Sequence, residues 1–453
     1  MTDVQAADPA AGTGSVTAGS VTAGSVTAGR GFYLRQFDLF RTVTFVCVVA
    51  QHSVLWPVTG GAQIGWGAVM LLHATRNMFF FLSAFVAYYA QVTRPRSTGA
   101  LWWRRLSQIV VPYLVWTVIY WGYTMIVNSQ SMGGLGSFRH DLWWGYYQLY
   151  YAIVLIQFYV LLPLLIWLVR ISRRYHWWVL GVSALFQLAM MTVSHYFSWH
   201  SGVPGTIRHY DLDLTQSRLI VGYQLYLVAG LLAADHVDDI QRFVARYRRA
   251  IVTGAVAVGV LATGYYIVGL AQHETPGHAS DLYQPVATVW FVAAIAGLYA
   301  LGWIWANRAA ARAAPGRWDR FLTWTSDMSG GFYFAHVLVL QLILLGLVHA
   351  GLESAAPWWV TSIVLFPGTL LGTAILVTLV ERTPLRFFLT GPNRTEERAF
   401  LAWFPRPAWL VRHGPSGVAG PSDRESGAIG DRRAWGRPAR LAVAAGETAV
   451  RPG

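Results

Sequence analysis

The sequence predicts an all-α membrane protein that crosses the bilayer about ten times, with both termini in the cytoplasm. Hydrophobic residues make up 55% of the chain, charged residues only 12%, and the mean hydropathy is +0.41. A soluble globular chain carries about a quarter charged residues, so this composition excludes a soluble protein. A membrane-spanning helix needs roughly 17–25 mostly apolar residues, and about ten stretches meet that criterion. They are residues 37–57, 66–90, 108–128, 144–169, 177–197, 217–234, 251–271, 285–306, 330–350 and 358–380.

Two tails flank the predicted membrane domain, which spans residues 33–390. The N-terminal tail, residues 1–32, repeats SVTAG three times, and such low-complexity sequence cannot bury a core. It has no positive region followed by an apolar stretch, so no cleavable signal peptide is predicted. The C-terminal tail, residues 391–453, is rich in Arg, Pro and Gly. We expect both tails to be disordered and the C-terminal tail to be cytosolic.

Arginine sets the predicted orientation, because the chain contains no lysine and has a net charge of +13. The arginine-rich loops are residues 91–107, 170–176, 235–250 and 307–329, and they alternate with loops that hold one arginine or none. Positively charged loops stay in the cytoplasm, which places both termini there and agrees with an even number of spans. The basic charge therefore indicates a lipid bilayer as the partner, and no nucleic acid is predicted.

The cysteine and histidine spacing indicates no disulfide and no metal. Cys47 is the only cysteine and lies inside an apolar stretch, so no intrachain disulfide can form. One outer loop holds several potential ligands, which are His195, His200, His209, Asp211 and Asp213. Their spacing matches no recognised zinc site, and we predict no bound metal. A solvated loop, or one that hydrogen-bonds a sugar-like acceptor, fits them better.

Two polar residues interrupt the first predicted span at a spacing that places them on one side of the helix. Arg41 and His52 are eleven residues apart, which is three helical turns plus roughly 20° and about 16 Å along the axis. Ionisable residues inside membrane helices usually face the interior of the bundle. The pair therefore predicts a polar seam that runs from the cytosolic end into the outer half. Alternatively, Arg41 reaches the headgroups or pairs with Asp38, and His52 only packs.

Six segments, taken in order, resemble the membrane acyltransferase 3 family. The first is DLFRTVTFVCVVAQHSV, in which Asp38 and Arg41 are followed by His52. The second, FFFLSAFV from Phe79 to Val86, is similar to the family's F-F-x-x-S-G-F signature. The third is the basic segment WWRRLSQIVVPYLVW. The others are YYQLYYAIVLIQFYVLLPLL, SGGFYFAHVLVL and ERTPLR.

The resemblance implies a multi-pass enzyme of a bacterial plasma membrane. Such an enzyme transfers an acyl group, commonly acetyl, from cytosolic acyl-CoA to a hydroxyl of an envelope glycan or a small molecule, with no tightly bound cofactor. The sequence departs from the family pattern at three positions. Ala84 stands where glycine is usual, Gln108 where a second basic residue is frequent, and Gln148 where many members carry histidine. These departures concern the acyl pocket and the acceptor more than the reaction class.

His52 is the residue that we expect to handle the proton of this reaction. A hydroxyl is a poor nucleophile until a base removes its proton, and such a base contributes about 10²–10⁴ in rate. An acyl-histidine intermediate is the alternative route, and the sequence does not separate the two. Arg41 would orient the anionic donor or stabilise the seam. Arg104 and Arg105 would bind the phosphates of the donor through their planar forks, or would only fix the topology.

Five further residues are assigned lesser roles. Arg76 falls within the second predicted span, where it would help to bind the donor, form a structural ion pair, or mark a helix that starts later. Ser83 is a weak candidate nucleophile, because small hydroxyls in membrane helices usually bond to neighbouring backbone. Tyr151 and His336 fall in segments that match the family and are expected to support the site. Glu381, at the cytosolic end of the last span, is expected to pair with an arginine.

A transporter is the alternative function. A polar seam could also carry protons, a small solute or a glycan precursor, but transporters often show two similar halves with broken helices. No repeat between the halves is evident here, and His52 and His336 do not occupy matching positions. The residues therefore favour an acyltransferase. They do not indicate the acyl group, the acceptor, the oligomeric state or the role of the C-terminal tail.

Overall fold

The computed structural model describes residues 33–58, 61–127, 134–197, 217–352 and 356–391. Within these residues all regular secondary structure is helical, so the predicted all-α class is confirmed. The twelve longer helices are α1 (Gln36–Leu55), α2 (Gln63–Leu72), α3 (Ala74–Thr93), α4 (Thr98–Val127), α5 (Leu135–Trp144), α6 (Tyr150–Ile171), α7 (His176–Thr192), α8 (Gln224–Asp235), α9 (Val237–Ala271), α10 (Pro285–Ala310), α11 (Arg317–His349) and α12 (Trp358–Glu381). Short helical segments lie at Tyr147–Leu149, Arg173–Tyr175, Val193–Phe197, Ile220–Tyr223, Pro276–Ala279 and Arg386–Leu389.

Several predictions concern residues outside the described ranges. These residues are the two tails, 1–32 and 392–453, and most of the outer loop, 198–216. What the sequence predicts for them stays a prediction. His195, the candidate ligand of that loop within the described ranges, is buried and bonds through Nδ1 to Asp281 Oδ2 at 2.9 Å.

Nine helical stretches of the described residues are long and apolar enough to cross a membrane. They coincide with nine of the predicted spans, which confirms the polytopic architecture. The remaining prediction, residues 217–234, corresponds to a shorter apolar helix, Ile220–Asp235. The predicted span at 66–90 is divided, because α2 ends at Leu72 and α3 begins at Ala74.

The break between α2 and α3 is stabilised by hydrogen bonds to its freed backbone groups. His73 Nδ1 bonds to the Val69 carbonyl at 2.8 Å, and the Trp290 indole N–H donates to the Leu71 carbonyl at 3.0 Å. A broken membrane helix persists only where its backbone groups find such partners. The break places Arg76 in the first turn of α3, as expected for a helix that starts later.

Helix α1 lies at the centre of the bundle and contacts α2, α3, α10, α11 and α12. Phe40 is fully buried in this packing. Thr42 Oγ1 lies 2.6 Å from Thr325 Oγ1 on α11, and Gln36 donates to the Tyr299 hydroxyl on α10 at 3.0 Å. The polar side chains of α1 therefore meet other helices, as the predicted seam requires.

Helices α7, α9 and α12 present apolar surface to the outside of the bundle. Their exposed residues include Leu185 on α7, Leu261 on α9 and Leu371 on α12. An apolar exterior of this size would be unfavourable in water and suits lipid. Trp177 and Trp178 are exposed at the start of α7, a position that fits anchors at the membrane interface.

Helices α3 and α8 pack closely at a glycine. A Cβ added at Gly230 on α8 would lie 2.4 Å from the Phe81 carbonyl oxygen and 2.9 Å from the Ala84 Cβ on α3. Small residues allow membrane helices to approach at such distances. Ala84, where the family usually has glycine, thus belongs to a helix–helix contact.

We expect Gly230→Ala to lower the free energy of unfolding by about 1–3 kcal/mol, because the added methyl overpacks this contact. Thermal unfolding of the detergent-purified protein measures the effect. Gly254→Ala on α9 is the matched control, because a Cβ there meets nothing within 4 Å. Alanine favours a helix over glycine by about 1 kcal/mol, so this variant should not be destabilised. Equal midpoints for Gly230→Ala and the parent would contradict the close packing of α3 and α8.

The predicted orientation can be tested with single cysteines, because Cys47 is the only one in the chain. In a Cys47→Ala background, a membrane-impermeant maleimide should label Gln272→Cys in intact cells, and Arg174→Cys only after the membrane is permeabilised. Both positions are exposed, and Arg174 lies in an arginine-rich loop that should be cytoplasmic. Labelling of Arg174→Cys alone in intact cells would reverse the orientation.

Candidate active site

Two cavities lie along α1 and share part of their walls. The arginine cavity has a volume of about 320 Å³ and is lined by Arg41, and the histidine cavity has a volume of about 220 Å³ and is lined by His52. Phe79, Tyr151 and Tyr333 line both cavities, and we call these three side chains the aromatic partition. The seam predicted along one face of α1 therefore consists of two spaces that meet at aromatic rings.

The arginine cavity presents two guanidinium groups and one carboxylate. Arg41 donates to the Ser326 hydroxyl at 3.4 Å. The Arg105 guanidinium lies 5.7 Å from the centroid of the Tyr159 ring, a cation–π contact that holds it at the cavity wall. Asp327 also lines the cavity. Positive charge from the described lining residues therefore exceeds negative charge by one.

Asp38 and Arg104 lie near the arginine cavity without lining it. Asp38 is fully buried and accepts hydrogen bonds from the Tyr33 and Thr323 hydroxyls. Arg104 precedes Arg105 on α4, and one residue turns a helical side chain by about 100°. Of these two adjacent arginines, the structure thus brings Arg105 into the cavity with Arg41.

The aromatic partition is held by hydrogen bonds and ring contacts. Tyr151 Oη lies 3.1 Å from Ser83 Oγ, and the Tyr333 hydroxyl donates to the Gln148 backbone carbonyl at 2.6 Å. The Tyr151 ring centroid lies 5.2 Å from that of Tyr333 and 5.9 Å from that of Phe79. The predicted site residues Ser83 and Tyr151 thus lie within hydrogen-bond distance of each other at the boundary between the two cavities.

His52 and His336 lie together in the histidine cavity. Their ring centroids are 5.4 Å apart and their planes are inclined by 25°, so the rings are nearly stacked. His52 belongs to α1 and His336 to α11, and these helices contact each other. The structure thus pairs the predicted base with a histidine that the sequence ranks only as supporting.

The hydrogen bonds of His336 fix which nitrogen carries the proton. Nδ1 lies 3.0 Å from the Phe332 carbonyl oxygen and 2.8 Å from that of Tyr333. A carbonyl can only accept, so Nδ1 must donate, and Nε2 of the neutral ring holds a lone pair. Nε2 is buried and has no hydrogen-bond partner within the described residues. This lone pair could therefore accept a hydrogen bond from a donor in the histidine cavity.

Tyr147 reaches His52 from a strained turn. Its φ is 35°, in the left-handed region that tyrosine rarely adopts. Gly145, two residues earlier, has a φ of 78°, and a Cβ there would lie 2.5 Å from the Tyr150 nitrogen. This turn places the Tyr147 hydroxyl 3.3 Å from His52 Nδ1. Strained backbone of this kind is concentrated at functional sites.

Arg76 lines the histidine cavity and lies apart from Arg41 and Arg105. Its guanidinium lies 5.3 Å from the ring centroid of Tyr223 and 5.8 Å from that of Tyr283. The structure thus places Arg76 with the histidines and outside the cavity of Arg105, although the sequence analysis grouped it with Arg104 and Arg105 as a donor-binding residue. Arg76 lies in the first turn of α3, and the α3 residues that line the arginine cavity follow it along the helix; they are Phe79, Leu82, Ser83 and Val86.

Glu381 supports the wall of the arginine cavity. Its Oε1 accepts a hydrogen bond from the Thr390 hydroxyl at 2.6 Å, and Arg386 donates to its backbone carbonyl at 3.3 Å. Thr390 and Gly391 both line the cavity. The carboxylate is therefore tied to the segment that follows α12.

The sequence analysis did not select Tyr147 as a site residue. It also did not predict where two departures from the family pattern, Gln108 and Gln148, would lie. Gln108 lines the arginine cavity and Gln148 lines the histidine cavity, so each faces one of the two spaces. Gly145 before the aromatic run was the available signal for a tight turn. It gave no indication that the turn would bring Tyr147 to His52, which lies 95 residues earlier in the chain.

The fold and the two cavities define a class of protein: a multi-pass helical membrane protein in which arginines and paired histidines lie on either side of an aromatic partition. The chain belongs to the acyltransferase 3 family, whose model, described as an acyltransferase domain, matches residues 34–378. No curated protein and no solved structure matches the chain. The predicted family is therefore confirmed, and the chain is a multi-pass membrane protein of an acyltransferase family.

Proposed function

We propose that this protein is an O-acyltransferase of the bacterial plasma membrane, which moves an acyl group, in the first instance acetyl, from cytosolic acyl-CoA to a hydroxyl of a cell-envelope glycan or another acceptor. The meeting of the two cavities at the aromatic partition is the observation that supports this proposal most. One cavity offers guanidinium groups to an anionic donor. The other offers nitrogen bases to a hydroxyl.

The donor would bind in the arginine cavity. Arg41 and Arg105 present planar forks of N–H donors, which pair well with phosphate oxygens. The thioester would then lie at the partition, beside the hydroxyls of Ser83 and Tyr151. One of these hydroxyls donates to the other across 3.1 Å, and the acceptor of that bond keeps its own proton for the thioester oxygen. That hydroxyl would stabilise the negative charge that develops on the oxygen.

In the proposed reaction the acceptor oxygen attacks the thioester carbonyl carbon. A C–O bond forms, the C–S bond breaks, and the thiolate takes up the proton that the acceptor hydroxyl has lost and leaves as coenzyme A. His52 accepts the hydroxyl proton, or first accepts the acyl group itself. For His52 to act as a base at Nε2, its Nδ1–H must donate to the Tyr147 oxygen, which makes Tyr147 a positioning residue.

The acceptor would occupy the histidine cavity. Arg76 and the Gln148 amide supply polar groups there, and Tyr147 and Tyr150 supply aromatic surface. Hydrogen-bonding groups interspersed with aromatic faces suit a polyhydroxylated, sugar-like acceptor. The His336 Nε2 lone pair is available in the same space to one of its hydroxyls.

His52→Ala should slow acyl transfer by about 10²–10⁴-fold, because it removes the nitrogen base. His336→Asn should also slow transfer, because it removes the lone pair that orients the substrate hydroxyl. In His336→Asn the amide can still donate to the Tyr333 carbonyl, but no basic nitrogen remains at the Nε2 position. Purified protein is given labelled acetyl-CoA and a hydroxyl acceptor, and both coenzyme A release and acylated product are measured.

His349→Ala is the matched control for these variants, because His349 lies on the same helix as His336 and is exposed at its end. Parent-level transfer by His52→Ala would contradict its role. Label recovered on His52 before an acceptor is added would identify the acyl-histidine route. Solute uptake without any acyl donor would instead indicate a transporter.

Arg41→Ala and Arg105→Ala should each weaken acetyl-CoA binding by about tenfold or more, because a hydrogen bond to a charged group contributes about 1.5–3 kcal/mol. Calorimetric titration of the detergent-purified protein measures this. Arg139→Ala removes the same charge from an exposed position on α5 and should leave the affinity unchanged. If both cavity variants bound acetyl-CoA as tightly as the parent, the donor would not dock in the arginine cavity.

A further inference from the structure

Three potential metal ligands converge where the helices α6 to α9 connect. His176 begins α7, Asp235 ends α8, and His236 joins α8 to α9. One ligand atom from each residue lies within 4.8 Å of the other two. The side chains of His176 and Asp235 are buried, and that of His236 is 40% exposed. The cluster is separate from both cavities of the candidate active site.

His176 and Asp235 each use one side-chain atom in hydrogen bonds to residues outside the cluster. The remaining ligand atoms of the two side chains face each other. His176 Nε2 lies 2.8 Å from the Val169 carbonyl and must donate to it, so Nδ1 of the neutral ring holds a lone pair. Asp235 Oδ1 accepts from the Tyr88 hydroxyl at 2.6 Å and from Arg173 at 3.3 Å. The other carboxylate oxygen, Oδ2, lies 4.0 Å from His176 Nδ1.

His236 completes the arrangement in the same manner. Its Nδ1 lies 3.6 Å from Asp239 Oδ2, and its Nε2 lies 2.8 Å from His176 Nδ1. Histidines that bind metals usually direct their second nitrogen to a carbonyl or a carboxylate, as His176 and His236 both do. Without a metal, His236 Nε2–H can donate to the His176 Nδ1 lone pair, and Arg173 pairs with the Asp235 carboxylate. A metal ion that takes the place of the Nε2 proton would instead be held by both nitrogens and by Asp235 Oδ2.

We propose that His176 Nδ1, His236 Nε2 and Asp235 Oδ2 bind a divalent transition-metal ion, and that Zn²⁺ is the ion that fits. Tetrahedral zinc with bonds of about 2.0–2.1 Å holds its ligand atoms about 3.3 Å apart. The two contacts of His176 Nδ1, 2.8 Å to His236 and 4.0 Å to Asp235, bracket that distance. Two imidazoles and one carboxylate form a ligand set that zinc commonly takes, with water in the fourth position.

The ion would link the start of α7 to the junction of α8 and α9. Through the bond from Tyr88 to Asp235, it would also hold the end of α3. Helix α3 carries Phe79 of the aromatic partition and Ser83. The metal site would therefore stabilise this helix without taking part in the reaction.

The test is zinc binding by the full chain, purified in detergent with an affinity tag that contains no histidine. The protein is stripped with EDTA and titrated with Zn²⁺ alone, and bound metal is measured by mass spectrometry. We expect about one tightly bound ion per chain. His236→Ala and Asp235→Asn should abolish this binding, and Tyr88→Phe should weaken it by about 10–100-fold, because it releases the ligating carboxylate. Visible absorption of Co²⁺ in the same site should show tetrahedral coordination.

Controls separate this site from other histidines. His349→Ala should bind zinc as the parent does. His236→Ala is the decisive variant, because its partly exposed side chain can be removed without opening the core, and its elution in size-exclusion chromatography verifies the fold. Equal zinc affinity in His236→Ala and the parent would overturn the proposal, as would a parent that binds no zinc. Either result would leave the contact between the two imidazoles as a hydrogen bond.

Discussion

Helix α1 must be enclosed on all sides, because it carries an arginine and a histidine through the membrane. A charged side chain at the centre of a bilayer costs about 2.5–3.5 kcal/mol on insertion scales, and it is tolerated when it faces protein or water. The structure surrounds α1 with α2, α3, α10, α11 and α12. Helix α11 supplies the residues that meet both side chains, because Ser326 accepts a hydrogen bond from Arg41 and His336 stacks on His52. Helix α3 brings Ser83 to the arginine cavity. The packing that shields the polar residues of α1 thus also builds the candidate active site.

Enclosure alone would leave a continuous polar seam, and the aromatic partition divides it. Arg41 and His52 are separated by about 16 Å along the helix axis. In the proposed reaction an extended donor would cover part of this distance, with its phosphates at the arginines and its thioester at the aromatic partition. Because Tyr151 and Tyr333 carry hydroxyls on aromatic rings, the partition is apolar in its body and polar at its edges. The reacting carbonyl would therefore meet hydrogen-bond donors beside aromatic rings, and hydrogen bonds are stronger in surroundings of low polarity.

Hydropathy predicted the spans well because a membrane helix must satisfy its own backbone, which makes long apolar runs obligatory. The break at His73 escaped that pattern, since the partner that satisfies the Leu71 carbonyl is Trp290, more than two hundred residues away. Contacts between residues far apart in the sequence also explain why only part of the candidate active site was predicted. The helical period placed Arg41 and His52 on one face of α1, and the family motifs selected Ser83, Tyr151 and His336. No local pattern contains the stacking of His52 on His336, which joins α1 to α11.

The two histidines differ in a way that assigns them different work in the proposed reaction. His336 Nδ1 faces backbone carbonyls, which can only accept, so its tautomer cannot change while those bonds persist. His52 Nδ1 faces the Tyr147 hydroxyl, which can either donate or accept as its proton rotates. A group that takes a proton and returns it, or that carries an acyl group and releases it, must change its bonding during one cycle. The Tyr147 hydroxyl permits that change at His52, whereas the backbone keeps His336 as a fixed acceptor that orients the substrate hydroxyl. The positive φ of Tyr147 is a local backbone strain, and it occurs at the residue whose hydroxyl can change its hydrogen bond to His52.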